Sequence, residues 1–485
     1  MDSLNKFKYM FAYFKKYQEY KRSIVIGIAT SIALLTLSLL PFYVSVAYHD
    51  TQRMVSTVIV AFALCVSICF TRVNRQTMCF LGQVYVWGMF AVYMSPIPLW
   101  SMIEFGLLFS VVLLGMTLMP KLQKRHLKYL TILITAIHGF YAAHNLTDYA
   151  LTLVLSREFA PNSLSSGFSN VRFYGQFLVW TMPLMFGALV ANQKLPYRNV
   201  ILVILMFDWA FELLTLTRAF LVAMAFTLPV VWWMARSYWL QYAKCFFLTV
   251  AGGVAIYVLM LYVIPGLLGI DISYALKFSS GRDMLNSSGR AQLWLEAWQL
   301  MLINPWLGAG PMTTALGSVS RISAHPHNYI LQLLAEWGVP FTLLLVGGAV
   351  YGSIKLKRLI QKSSTESQLL AVPIAASLSA GAVAGLFDGL LVMPVSLVYM
   401  TLVLACCAGL WRNLTPEVER RKFPWWSVPF LISPAIFVAV FAVMNWPHWS
   451  TGTTIPKPMS GYGYELKPNL NPRFWLTGQI DIVKK

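Results

Sequence analysis

Three arginines, two histidines and a Gly/Pro turn fall together between Ser279 and Val346, in a chain otherwise made of long apolar runs. The stretch carries Arg282, Arg290 and Arg321, then His325 and His327, then Glu336. Upstream, Arg218 in Leu216-Thr217-Arg218-Ala219-Phe220 follows one apolar run and begins the next, with no loop to solvate it. A guanidinium so placed is either paired with Asp208 or Glu212 or held for an anionic ligand. Arginine suits the second use, because its planar fork of donors matches the oxygens of a diphosphate and stays charged at any accessible pH.

The elements that must position these groups are legible around them. Ser287 and Ser288 are natural N-cap residues, and Leu293, Trp294, Ala297, Trp298 and Met301 then recur at three- and four-residue spacing. This predicts a short helix whose oily, Trp-rich stripe lies on a bilayer surface or against the tops of other helices. Asn304-Pro305 ends it, and Leu307-Gly308-Ala309-Gly310-Pro311 forbids its resumption. His325-Pro326-His327-Asn328 then precedes about 24 residues that read as a spanning helix. Arg290 and His327 thus stand at opposite ends of one re-entering loop.

With 58% hydrophobic and 11% charged residues over 485 positions, the chain lies far outside the range of a soluble domain. The fold class expected is an all-α polytopic membrane protein of about 12–13 transmembrane helices, with a large periplasmic loop carrying an amphipathic helix. Spans are expected near 24–47, 54–70, 78–94, 97–119, 129–155, 173–191, 199–217, 219–235, 245–265, 328–352, 369–387, 389–411 and 427–445. The division is a transmembrane domain over 1–445, with its outward loop at 266–327, and an outward tail over 446–485. Most of the 37 basic residues cluster in alternate loops, which puts those loops and the N terminus in the cytoplasm. The net charge of +19 is therefore mostly topogenic, and no nucleic-acid partner is needed to explain it. No cleavable signal peptide is evident, because the basic start is long and the first apolar run is span-length. The six cysteines fall in spans or at their cytoplasmic ends, so neither a disulfide framework nor a metal site is indicated.

Ionisable residues at membrane depth are costly and commonly functional. Glu104, His138, His144, Asp208, Glu212, Arg218 and Glu336 all fall in outer halves of spans, and Asp388 caps an outward hairpin. That distribution suits a cavity open to the outside and closed beneath. A transporter would line its path on both sides of the midplane.

At Arg218, Arg290 and His327 the chain resembles the bacterial O-antigen ligase superfamily, which also holds O-antigen polymerases and the O-linked oligosaccharyltransferases that modify pilins. The resemblance rests on Gly289-Arg290-Ala291-Gln292-Leu293-Trp294 with Trp298, on Asn304-Pro305-Trp306-Leu307-Gly308-Ala309-Gly310, and on His327-Asn328-Tyr329-Ile330 with Glu336-Trp337-Gly338. Thr217-Arg218 and the segment Gly167 to Gln176, which contains Arg172, are similar as well. The resemblance implies metal-independent, inverting glycosyl transfer in the inner membrane, on its periplasmic side, from a glycan carried on undecaprenyl diphosphate. It implies that Arg218 and Arg290 hold the diphosphate and that His327 activates the acceptor hydroxyl. Arg172 is a third donor-binding residue or an interfacial anchor. His325, Asn328 and Glu336 are candidates for supporting His327, while His138, His144, Asp208 and Glu212 read as structural partners. No cofactor or metal is expected.

The chemistry of the residues agrees with that implication. Attack by a hydroxyl at an anomeric carbon needs a base titrating near neutrality, and histidine is the side chain that does so unperturbed. Departure of a lipid diphosphate builds negative charge, which fixed arginines stabilise without reorganising. The acceptor expected is a lipid A core sugar. A pilin Ser or Thr, the end of another lipid-linked glycan, and a non-enzymatic flippase or exporter are the alternatives. Departures from the ligase pattern are a thirteenth span and the tail rich in Trp, Tyr, Pro and Gly, either a lid or acceptor-docking surface or a passive strap.

Overall fold

A computed structural model describes residues 29–42, 48–156, 159–161, 164, 167–191, 196–280, 289–316, 319, 323–416, 421–446, 464–466, 474–475 and 480–482. The chain opens with α1 (Ala29–Phe42), α2 (Tyr48–Phe70), a short strand β1 (Arg72–Val73), α3 (Arg75–Tyr93), α4 (Pro98–Thr117) and α5 (Lys124–Leu151). Next come α6 (Val171–Ala191), α7 (Arg198–Thr215), α8 (Arg218–Met234), α9 (Arg236–Val258) and, beyond a π turn, α10 (Ile264–Leu268). Three short helices follow: α11 (Ser273–Ser280), α12 (Arg290–Ile303) and α13 (Tyr329–Trp337). The rest is α14 (Val339–Gln361), α15 (Thr365–Ala384), α16 (Pro394–Leu414), β2 (Arg421–Lys422), α17 (Val428–Met444) and a tail hairpin of β3 (Tyr464–Leu466) and β4 (Ile480–Ile482).

Among the described residues, eight helices are long and apolar enough to cross a membrane, and α1 and α8 are apolar but shorter. The protein is an all-α polytopic membrane protein. Helices also stand where α3, α5 and α7 were expected to span. Two of these carry ionisable and polar residues along their length: α7 has Arg198, Asp208 and Glu212, and α5 has His138, His144, Asn145 and Asp148.

One expected span is corrected. The run predicted as a single helix over 328–352 is broken at Gly338 (φ 81°, ψ 168°) into α13 and α14. Pro340 withdraws an N–H from the second helix's first turn, where none is needed, so the two helices can meet at an angle. The expected caps Ser287 and Ser288 lie outside the described residues, and Gly289 in the left-handed region (φ 79°) caps α12.

Helix α15 packs against α6 and α8, α7 against α9, α16 against α4, and α17 against α2 and α4. Membrane helices gain little from hydrophobicity against one another and rely on close approach and interhelical hydrogen bonds. The α6–α15 seam shows both. Gly381 receives the Trp180 ring face, Ser377 donates to the Trp180 carbonyl (2.9 Å), and Trp180 Nε1 donates to Ser396 Oγ on α16 (2.9 Å). Three apolar cores result. One joins α5 to α9 with α15 and α16, a second joins α2 to α4 with α17, and a third sits between them at the end that carries His327. The opposite end is closed by backbone pairing of Arg72 with Lys422 and by Arg412 donating to the Met119 carbonyl (2.7 Å).

The packing makes a direct test available. Gly381→Val forces two methyls into the Trp180 indole, and overpacking of this kind costs about 1–3 kcal/mol. Its thermal unfolding midpoint in detergent should fall, whereas Gly347→Val, facing open space, should leave the midpoint unchanged.

Candidate active site

The three arginines singled out by their positions each occupy the first turn of a different helix. Arg172 follows Val171 at the start of α6, Arg218 opens α8 and Arg290 opens α12. A cation there works against the positive end of the helix dipole, which favours an anion. All three side chains are partly buried. Burial pushes the Arg290 guanidinium below its ordinary range; the Asp388 carboxylate acts against that, and the charges of Arg172 and Arg218 add to it. Arg172, Arg218 and Asp388 therefore all lie within electrostatic reach of Arg290.

Local sequence explains how Arg218 comes to be there. Leu216 leaves α7 in the left-handed region (φ 50°) and Thr217 restarts the chain as α8, so the corner needs no loop. Beneath it, Asp208 is committed to its neighbours: His138 Nδ1 lies 2.7 Å from Oδ2, Tyr174 donates to Oδ1 (2.7 Å), and His138 Nε2 meets Thr181 (2.8 Å). Glu212 is fully buried beside Gly175 and Thr217. His144 pairs with Asp148 on its own helix (3.1 Å).

His327 meets the same Asp388 and is itself in the left-handed region (φ 53°). A non-glycine residue held there is strained, and such strain collects at functional positions. What holds it is a set of short-range contacts. The His327 backbone N–H donates to His325 Nδ1 (3.2 Å), and the two rings lie 4.1 Å apart. Asn328 caps α13, its side chain accepting from the amides of Ile330 (3.0 Å) and Leu331 (3.1 Å). Trp294 on α12 donates to the Pro326 carbonyl (3.0 Å), which ties the helix of Arg290 to the turn of His327.

The supporting candidates thus divide by what they touch. His325 and Asn328 act on the His327 turn directly. Glu336, fully buried, accepts from the Thr314 amide (3.1 Å) and hydroxyl (2.7 Å) and fastens the return loop to α13. That loop lies backbone to backbone along the end of α13, with Ala309 and Gly310 donating to Ala335 (2.9 Å) and Glu336 (3.1 Å). A β-carbon at Gly338 would meet the Trp306 carbonyl, so the Gly-rich spacing serves close approach.

Asp388 is the residue that sequence reasoning did not assign. It lies in the turn between α15 and α16, with Oδ1 3.5 Å from His327 Nδ1 and accepting from the Gly389 amide (2.8 Å). Burial raises its carboxyl, but His327, the Gln176 amide and the Gly389 N–H together outweigh burial and hold it below the usual carboxylate range. A carboxylate facing Nδ1 favours the tautomer with the proton there, leaving Nε2 as the base. At 3.5 Å the contact is an ion-pair distance rather than a tight hydrogen bond, and contacts of this kind shorten when a substrate fills the site. Nε2 faces Ser323 Oγ at 3.5 Å. Its outward position in Phe387-Asp388-Gly389 was the available signal. Arg282 and Arg321 of the same stretch lie outside the described residues.

Cations, a held histidine and a carboxylate thus lie at one end of a helical membrane bundle. Residues 201–346 match the family model described as O-antigen ligase, and this part of the chain is similar to that family. The match contains Arg218, Arg290, His325, His327, Asn328 and Glu336, and ends before Asp388. No curated protein matches the chain.

The strain at His327 separates stability from activity. His327→Gly and His327→Ala both remove the imidazole, yet glycine accepts φ 53° and alanine does not. The glycine variant should be the more stable by roughly 1 kcal/mol, read as a higher unfolding midpoint.

Proposed function

We propose that the protein transfers a glycan from undecaprenyl diphosphate to an acceptor hydroxyl, on the periplasmic face of the inner membrane, by one inverting displacement. The observation that carries this reading is the gathering of Arg172, Arg218 and Arg290, each at a helix start, opposite the His327–Asp388 pair. The acceptor oxygen attacks the anomeric carbon as its proton passes to His327 Nε2. The bond from that carbon to the diphosphate oxygen breaks, and the lipid diphosphate leaves as an anion among the arginines. Asp388 orients the imidazole and balances the imidazolium. Every charge that develops meets a group of this chain, so the reading assigns no step to a metal. The acceptor proposed is a sugar of the lipid A core, as ligase-type transfer requires.

Transfer from a radiolabelled undecaprenyl-diphosphate glycan, in proteoliposomes with lipid A core as acceptor, tests the scheme. His327→Ala should lower the rate by about 10²–10⁴-fold, the usual worth of a general base. Asp388→Asn should lower kcat with little change in donor KM. Arg218→Lys and Arg290→Lys should recover little activity, because an ammonium cannot offer the paired donors. Undiminished transfer by a properly inserted His327→Ala chain overturns the mechanism. Product on a pilin hydroxyl, with none on lipid A core, replaces the acceptor and leaves the site chemistry intact.

A further inference from the structure

The turn that presents Asp388 is gripped from outside the family-matched segment. Arg53 on α2 is almost wholly buried, at 1% exposure. Its Nε donates to the carbonyl of Phe474 (3.0 Å) and one of its terminal nitrogens donates to the carbonyl of Val392. Its guanidinium also lies over the Phe474 ring, 5.3 Å from the centroid. Val392 closes the turn that begins at Asp388, its amide donating to the Gly389 carbonyl (3.0 Å). One planar fork therefore joins α2, the Asp388 turn and the C-terminal tail.

The tail residues at this point are core residues. Phe474 and Trp475 are each 1% exposed, cross edge to face at 4.8 Å, and pack with Phe441 of α17 (5.4 Å from Phe474). The same apolar cluster takes in Met312, Ala315 and Leu316 of the return loop and Ala324, the residue before His325. The wedge is thus packed on the histidine side while Arg53 holds the aspartate side. Burying a guanidinium costs several kcal/mol, and an apolar residue of similar volume would fill the space with less penalty. What arginine adds is a rigid set of donors that fixes two backbone segments in register.

We propose that Arg53 is a positioning residue, and that Phe474-Trp475 is the wedge it locks, together setting the separation of His327 from Asp388. The tail is then neither a loose strap nor an acceptor-docking arm at this point, but a fitted part of the active-site end. The inference rests on the catalytic reading of His327 and Asp388 given above, and its test includes a readout that does not depend on transfer.

The test compares Phe474→Ala/Trp475→Ala, Arg53→Met and Arg53→Lys with the unaltered full-length chain in proteoliposomes. Two quantities are measured: kcat and donor KM, and the rate at which diethyl pyrocarbonate carbethoxylates His327, followed on its peptide by mass spectrometry. Releasing the wedge should lower kcat by about ten- to a hundredfold with donor KM within about twofold, since small misplacements of catalytic groups have effects of that order. His327 should be modified several-fold faster. Arg53→Lys should recover part of what Arg53→Met loses, because one ammonium can reach one carbonyl but not fix both. If the double variant inserts poorly, Phe474→Leu with Arg53→Lys makes the same comparison. Unchanged kcat and unchanged His327 modification overturn the proposal, as does a donor KM that rises in step with the loss of kcat. Should His327→Ala keep full transfer, the catalytic reading fails while the modification rates still decide whether the wedge sets the histidine.

Discussion

Three cations gathered at three helix starts is an arrangement that electrostatics opposes twice, by mutual repulsion and by the dipoles of α6, α8 and α12. The carboxylate of Asp388 acts against the burial of Arg290, but it is one charge among three. Such a centre depends on the rigidity of the bundle around it. The remaining architecture follows from this requirement. The helix starts must meet at one end, the chain must turn α7 into α8 without a loop, and the acid that offsets the cations must come from another hairpin.

Rigidity at that end comes from backbone contacts more than from side-chain bulk. The return loop lies on α13 through Ala309 and Gly310, and Glu336 fastens it through Thr314. Trp294 then carries the position of α12 to the His327 turn. Movement of the arginine helix is therefore movement of the histidine turn, and the left-handed backbone at His327 is held by its surroundings rather than by its own preference. The apolar cluster around Trp100, Met312 and Phe474 lies between the two larger cores and seats this assembly on both.

How much could be read in advance depended on whether a role needed one residue or two. Arg218 was conspicuous because a charge between two apolar runs has nowhere to hide, and His327 because Pro326 and Asn328 mark a helix start. The amphipathic stripe of α12 is present, with Leu293, Ala297 and Met301 buried and Trp298 exposed. Asp388 was visible as an outward acid, yet its pairing with His327 is a fact of how α13 meets the α15–α16 turn. Glu336 stood out from its place in the motif, and its bond to Thr314 is a contact that only the folded chain makes visible. The apparent single span after His327 hid a break, because an apolar run has the same composition whether or not Gly338 turns within it.

What the sequence by itself determined was the medium and the inventory: helices that bury their apolar sides in a bilayer, cations and a histidine at their ends, and Gly-Pro turns where helices stop. Those properties are local, set by side-chain transfer energies and backbone freedom one residue at a time. Only the tertiary structure decided which ends meet. Arg172, Arg218 and Arg290 lie on three separate helices, and three more separate His327 from its carboxylate along the chain. Arg53 and Phe474, near opposite ends of the chain, touch because Phe474 is seated in the third apolar core. Convergence of that kind is a property of packed helices, to which no single stretch of residues commits the chain.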